Sequence, residues 1–174
     1  MTTQLHTNGL DLNQIQELVG VLQADPTKAQ TVWRSRIHWK QGFQNEFRSR
    51  HAPITVDEPQ ALSGSDTGPN PAELLLGAMG TCLSIGYALN ATARGITLEA
   101  MDLELEGDID LMVFAGLREE GNPGYSGVRI TAKIKSDATP EQLQSLHEHV
   151  LRTSPICSTV ARPVAVEARV EPLA

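Results

Sequence analysis

The chain has two cysteines, Cys82 and Cys157, and these side chains are the best suited to covalent or redox chemistry. A cysteine reacts as its thiolate, which a nearby cation or the start of a helix favours. Cys157 stands three residues after Ser154, a common helix-capping type, so it falls in the first turn of a predicted helix. Cys82 is in the middle of a predicted helix and would need a cation. Alternatively, Cys82 is a small apolar core residue and Cys157 a filler near the surface.

Arginines on two predicted strands could supply that cation. Residues 31–40 alternate apolar with mostly cationic side chains, and residues 43–50 predict a returning strand after a turn. The arginines on these strands are Arg34, Arg36, Arg48 and Arg50.

Glu73, His147 and His149 are weaker candidates for chemistry. Glu73 precedes Cys82 by nine residues, which is roughly 13 Å along a continuous helix and on its opposite face. Its expected role is therefore in a capping box. The two histidines are two residues apart, and such residues do not share a helix face. We expect no metal site and no cofactor.

The helix that carries Cys82 is predicted over residues 70–95. Asn70 is the expected cap and Pro71 the first helical residue, with Gly95 just beyond the end. Apolar residues point all round this helix, which predicts that it is buried rather than amphipathic. Its interior glycines, which weaken a helix, predict close approach by another backbone. These are Gly77, Gly80 and Gly86.

The elements around this helix alternate between the two periodicities of secondary structure. Apolar spacing predicts an amphipathic helix over residues 11–24, docked on the body of the protein in preference to being exposed for a partner. A capped helix is predicted to begin at Thr139. Turn formers fill residues 63–69, and a short helix follows Ser154-Pro155. Further predicted strands cover residues 53–58, 97–110, 127–135 and 163–171. The order predicts an α+β fold with mainly antiparallel sheet.

Two of those strands carry complementary charge on their outer faces. Glu104 and Glu106 alternate with apolar residues on one, and Arg129 and Lys133 do so on the other. Because opposite charges directly across a sheet are mildly stabilising, we predict that the two strands are antiparallel neighbours.

Length and composition limit the possible classes of protein. A chain of 174 residues fits a single domain, with residues 1–30 as a helical extension and residues 31–174 as the α+β core. The net charge of -7 disfavours a nucleic-acid partner. Two cysteines do not make a disulfide framework. With no recognisable signal peptide and no unbroken apolar span, we expect no membrane partner and a cytoplasmic location.

Four segments carry a resemblance to a known family. They read DEPQALSGSDTGPNPAELLLGAMGTC, ARGITLEAMDLELEGDIDL, PGYSGVRITAKIKSDAT and TSPICSTVARPVAV. From residue 57 to residue 170 this pattern resembles the OsmC/Ohr family of osmotically inducible and organic hydroperoxide resistance proteins. It is most similar to the larger OsmC-like branch with an extra N-terminal helix.

The resemblance implies an intertwined homodimer with an active site at each subunit interface. It implies a reactive cysteine at Cys82, supported by an arginine for which Arg48 and Arg50 are the candidates. A second cysteine usually precedes a proline in the peroxidase members. Here that position is Ser154, and Cys157 lies one helical turn beyond it. The catalytic glutamate of the Ohr members is replaced by Ala72.

The function expected from this resemblance is thiol-dependent reduction of a hydroperoxide, completed by an external thiol or dithiol. The alternative is a non-enzymatic OsmC-fold dimer that binds a small apolar or acyl ligand, with Cys82 as a core residue.

Overall fold

A computed structural model describes residues 6–173 of the chain. The helices are α1 (Leu12–Ala24), α2 (Pro71–Ala93), α3 (Leu111–Phe114), α4 (Pro140–Thr153) and α5 (Pro155–Ala161). The strands are β1 (His6–Thr7), β2 (Leu10–Asp11), β3 (Arg36–Gln41), β4 (Gln44–Ser49), β5 (Ala52–Val56), β6 (Leu98–Ile109) and β7 (Tyr125–Ser136). Three antiparallel sheets form, in the orders β1-β2, β3-β4-β5 and β6-β7. The predicted α+β class is confirmed.

The N-terminus of α2 has the capping box that the sequence predicts. The Asn70 side chain accepts from the Glu73 backbone N–H at 2.8 Å, and the Glu73 carboxylate accepts from the Asn70 N–H at 2.9 Å. These bonds satisfy two N–H groups that a helix start otherwise leaves unpaired. Glu73 is therefore engaged at the end of the helix, well away from Cys82.

The glycines of α2 accommodate side chains and not a neighbouring backbone, so that prediction was wrong. A Cβ at Gly80 would lie 2.8 Å from Leu105 Cδ1, and one at Gly86 would lie 3.0 Å from Val150 Cγ1. Gly77 faces open space. Two of the three glycines thus let β6 and α4 pack closely against α2.

The core lies between α2, α4 and the β6–β7 sheet. Its fully buried side chains include Leu83, Tyr87, Leu146 and Val150. Only one face of α2 is buried in this chain, because Leu75, Ile85 and Leu89 are exposed by 39%, 68% and 39%. The prediction of a helix buried on all sides is not met within the single subunit.

The pairing of β6 with β7 is confirmed. The strands run antiparallel, and Glu106 is directly opposite Arg129. Arg129 Nε lies 3.2 Å from the Glu106 carboxylate, and Lys133 forms an ion pair with Glu104. The complementary charges predicted from the two outer faces therefore meet in space.

The loop that leads into α2 is organised by Asp57, whose exposure is only 1%. Its carboxylate accepts backbone N–H bonds from Glu58, Ser65 and Thr67 at 2.9, 3.1 and 3.2 Å. The Thr67 hydroxyl donates a fourth bond at 2.9 Å. Burial raises the pKa of Asp57, but these bonds outweigh it and the net pKa is lowered. The Asp57 carboxylate therefore holds the loop before α2 in a fixed conformation through four hydrogen bonds.

Three predictions about the periphery were wrong for the single subunit. Residues 163–171 form no strand, and Val166 and Val170 are exposed by 87% and 95%. The β3 strand is exposed on both faces, and none of α1 is buried. The apolar side chains of β3 and of residues 163–171 are left largely uncovered by the same subunit, whereas Leu12, Ile15 and Leu22 of α1 are half-buried.

By length and composition alone, α2 is the one helix of the described chain that could cross a membrane. Its glycines and polar residues do not bring it below that criterion, contrary to the reasoning from sequence. A core helix of a soluble protein meets the same criterion, and α2 contributes Leu83, Tyr87 and Ala91 to the core.

Candidate active site

The side chain of Cys82 meets Ser154 at the junction between α4 and α5. Cys82 Sγ lies 3.3 Å from Ser154 Oγ, within hydrogen-bond reach. Cys82 is partly buried and Ser154 is buried, with an exposure of 5%. Ser154 ends α4 and caps α5, so its hydroxyl is held by the ends of two helices and points at the middle of a third.

Cys157 contacts the same hydroxyl through its backbone. Its N–H donates to Ser154 Oγ at 3.3 Å, the usual bond between a cap and the third residue of a helix. Its side chain is partly buried and packs against the core cluster of Leu83, Tyr87 and Leu146. Both cysteines are free thiols. The structure therefore brings the Cys82 thiol and the backbone N–H of Cys157 to the same Ser154 hydroxyl, while the Cys157 side chain packs on the core.

The close approach of α2 to α4 sets the geometry of this site. Gly86 follows Cys82 by one helical turn, and Val150 precedes Ser154 by one turn. The Gly86–Val150 contact is thus the layer next to the Cys82–Ser154 contact along the same helix pair. A larger residue at position 86 would hold the two helices apart at the layer beside the thiol.

A second polar pair also joins α2 to α4. The Tyr87 hydroxyl, on a side chain with no exposed surface, is hydrogen-bonded to His147 Nδ1, and the two rings stack with centroids 6.1 Å apart. Burial raises the pKa of Tyr87, and the charge of a Cys157 thiolate would raise it further. The phenol therefore stays protonated and available to donate.

Arg48 and Arg50 lie on a different part of the chain. Arg48, on β4, is ion-paired with Glu46, and that bond raises its pKa. Arg50 follows the end of β4 with φ of 55°. Both line an open cavity with Trp33, Arg34 and Arg36, and neither cysteine is among its lining residues. This chain alone does not bring either arginine to Cys82, so support of the thiol by an arginine stays a prediction.

An apolar cavity of about 370 Å³ opens beside the N-terminal end of α2. Leu75, Ile109 and Phe114 are among its lining residues, together with Tyr125, whose hydroxyl donates to the Ala72 carbonyl at 2.8 Å. Glu58 is the carboxylate in its wall. Cys82 and Cys157 do not line this cavity, so it is distinct from the thiol site.

Sequence reasoning missed two features of the thiol site. It treated Ser154 as a cap and as the place of a second cysteine, but not as a partner of Cys82. It considered His147 only as a metal ligand and did not pair it with Tyr87. No cluster of three potential metal-ligating residues occurs within residues 6–173. The alignment of Ser154 with the family's second cysteine was the one signal that could have placed it near Cys82.

The subunit has an α+β fold with a partly buried thiol on its central helix, α2. That thiol faces Ser154 at the start of α5. A family model for OsmC-like proteins matches residues 64–169. That match includes Cys82, Ser154 and Cys157, and the chain belongs to the OsmC-like family.

Solved structures of this family share the fold. An OsmC-like protein from Mycoplasma pneumoniae aligns with a TM-score of 0.66 and 17% identity, over 75% of this chain and 88% of that one. An organic hydroperoxide resistance protein from Elizabethkingia anophelis, with thiocyanate bound, aligns at 0.58 and 19%, over 75% and 90%. One from Legionella pneumophila aligns at 0.57 and 16%, over 75% and 89%. No curated protein sequence matches the chain.

Proposed function

We propose that this protein is a thiol-dependent hydroperoxide reductase that serves in the response to peroxide or oxidative stress in the cytoplasm. The observation that carries the proposal is the Cys82 thiol, which lies in the family-matched region with a hydroxyl 3.3 Å from its sulfur. Two of the structural neighbours are organic hydroperoxide resistance proteins by name. Their identity to this chain is low, so the activity rests on the site and on family membership.

In the proposed reaction the Cys82 thiolate attacks the distal oxygen of a hydroperoxide. The O–O bond breaks, an S–O bond forms, and sulfur is oxidised to a sulfenic acid. The leaving alkoxide or hydroxide takes up the proton that the thiol released on ionising and departs as an alcohol or water. The Cys157 thiol then attacks that sulfur, which forms a disulfide and releases water. An external dithiol reduces the disulfide by exchange and restores both thiols.

The working unit in this proposal is a homodimer. The uncovered apolar side chains of α2 and of β3 support it, since contiguous exposed apolar surface is uncommon on a monomer. A partner subunit would also be the source of the arginine, Arg48 or Arg50, that this chain alone does not bring to Cys82.

Peroxide titration of single-cysteine variants tests the order of attack. Cys82→Ser should consume no peroxide, because it lacks the sulfur that is attacked. Cys157→Ser should consume one equivalent and leave a sulfenic acid on Cys82 that a dimedone adduct reveals by intact mass. Activity that survives in Cys82→Ser would contradict the assignment. Normal turnover by Cys157→Ser would assign resolution to an external thiol instead.

The apolar cavity beside Tyr125 favours a second candidate function, binding of a small apolar or acyl ligand without catalysis. Such cavities are typical of ligand sites. The rate of thiol loss on mixing with cumene hydroperoxide separates the two functions. Loss no faster than that of a free model thiol, together with saturable binding of an acyl probe, would favour the binding protein. Rapid loss confined to Cys82 would favour the reductase.

A further inference from the structure

We propose that Ser154 is a catalytic residue whose hydroxyl donates a hydrogen bond to the Cys82 thiolate and thereby stabilises the reactive form of that thiol. The inference rests on the proposed function in one respect, namely that Cys82 is the sulfur that is attacked. It adds a role to a residue that would otherwise be only the cap of α5.

The hydrogen-bonding capacity of the Ser154 hydroxyl supports this role. A serine hydroxyl has one proton to donate and two lone pairs that accept. The Cys157 N–H already occupies an acceptor position at 3.3 Å. With an exposure of 5%, the side chain has little access to solvent that could take its proton. The sulfur of Cys82, at 3.3 Å, is the acceptor within reach.

Ionisation of Cys82 strengthens this bond. A thiolate can only accept, and a hydrogen bond to a charged group is roughly twice as strong as one between neutral groups. The bond from Ser154 therefore stabilises the thiolate more than the thiol. A hydrogen bond that favours the charged form increases the fraction of Cys82 present as thiolate at a given pH.

No charged side chain competes for this position within the described residues. The hydrogen bond that Cys82 makes in that part of the chain is the one to Ser154, and Arg48 is bonded to Glu46 elsewhere. The ionisable groups on the adjacent turns of α2, α4 and α5 include Tyr87 and His147, which are bonded to each other, and Cys157. Arg152 on α4 is bonded to His149. The neutral hydroxyl is thus the group of this subunit that can hold the thiolate.

The test replaces Ser154 in a Cys157→Ser background, where Cys82 is the only thiol. Ser154→Gly removes the donor but costs a helix cap only a few tenths of a kcal/mol, and Ser154→Thr keeps both the donor and the cap. The thiolate fraction is read from its ultraviolet absorbance against a matched Cys82→Ser blank. Tyrosine absorbance cancels in that difference.

Ser154→Gly should lower the thiolate fraction at neutral pH about tenfold, and Ser154→Thr should restore most of it. The Cys82 thiolate fractions of the two variants should become equal at strongly alkaline pH, where Cys82 is fully ionised in both. An unchanged fraction in Ser154→Gly, or an equal loss in Ser154→Thr, would overturn the proposal. The absorbance measurement uses no peroxide. A protein that fails to reduce peroxide would therefore refute the proposed function without changing the outcome of this measurement.

Ser154→Cys gives an independent positional test in the same background. A sulfur at position 154 would lie close enough to Cys82 to form a disulfide after a small rotation. One equivalent of hydroperoxide should oxidise Cys82, and the introduced thiol should displace water from the sulfenic acid to form the S–S bond. Intact mass should then show the loss of two hydrogens. A stable dimedone adduct in place of the disulfide would show that the two side chains do not meet.

Discussion

The contact between Gly86 and Val150 makes a sharp prediction about the packing beside the thiol. A Cβ added at position 86 would lie 3.0 Å from Val150 Cγ1 and 3.9 Å from its Cβ and Cγ2. Val150 is 1% exposed and sits on a helix, where a valine side chain has one strongly preferred rotamer. Relief therefore requires α4 to move away from α2 by a few tenths of an ångström.

The expected magnitude for Gly86→Ala combines two opposing effects. Overpacking a dense core costs about 1–3 kcal/mol, while replacing a helical glycine with alanine gains about 1 kcal/mol. We expect a net destabilisation of about 0–2 kcal/mol. Gly77→Ala is the matched control, because the structure leaves that position open and only the gain should apply.

The assay is urea denaturation of both variants at one protein concentration. A double-mutant cycle with Val150→Ala isolates the contact, because removing the valine methyls should relieve the added Cβ. We expect a favourable coupling of about 1–2 kcal/mol. Zero coupling, or a Gly86→Ala protein as stable as Gly77→Ala, would refute the account of this helix pair.

Three further predictions follow from the fold and the assembly. The unfolding midpoint should rise with protein concentration, and a folded monomer at micromolar concentration in a sizing experiment would exclude the obligate homodimer. The pKa of Asp57 is lowered in the folded state, so its contribution to stability is present above about pH 4 and is lost as the pH falls through the folded-state pKa. Asp57→Asn should therefore lose less stability on acidification than the unaltered protein, and an unchanged dependence of stability on acidic pH would contradict this. Charge reversal by Lys133→Glu should cost under about 1 kcal/mol in denaturation, and Glu104→Lys added to it should recover the loss; a larger cost would mean that the pair does more than its exposed position implies.

The sequence predicted best those features that depend on local pattern. The capping box of Asn70 and Glu73, the start of α4 at Thr139 and the alternation in β6 and β7 each depend on neighbours a few residues away. Charge complementarity then extended the reasoning to a long-range pairing, between Glu106 and Arg129. These features survive in the structure because their stabilising groups all lie within one subunit.

The features that sequence reasoning missed depend on relations between distant segments. Nothing in local spacing places Ser154 against Cys82 or His147 against Tyr87, because the members of these pairs lie 72 and 60 residues apart in the chain. The glycines of α2 signalled a close approach, but not that Leu105 and Val150 were the groups approaching. The apolar patterns of β3 and of residues 163–171 do not say whether their cover comes from the same subunit.

Residues 163–171, the C-terminal segment, form an apolar stretch that the single subunit leaves exposed. Val164, Val166 and Val170 are exposed to solvent, and the segment has the alternating pattern of a strand but no neighbouring strand to pair with among the described residues. A newly made chain that stays unpartnered would offer this ribbon to proteases and to free sheet edges of other chains. Glu167 and Arg169 interrupt the valines with charge, as gatekeeper residues do in segments prone to aggregation. Proteases would therefore act on a segment that forms no part of the Cys82–Ser154 contact.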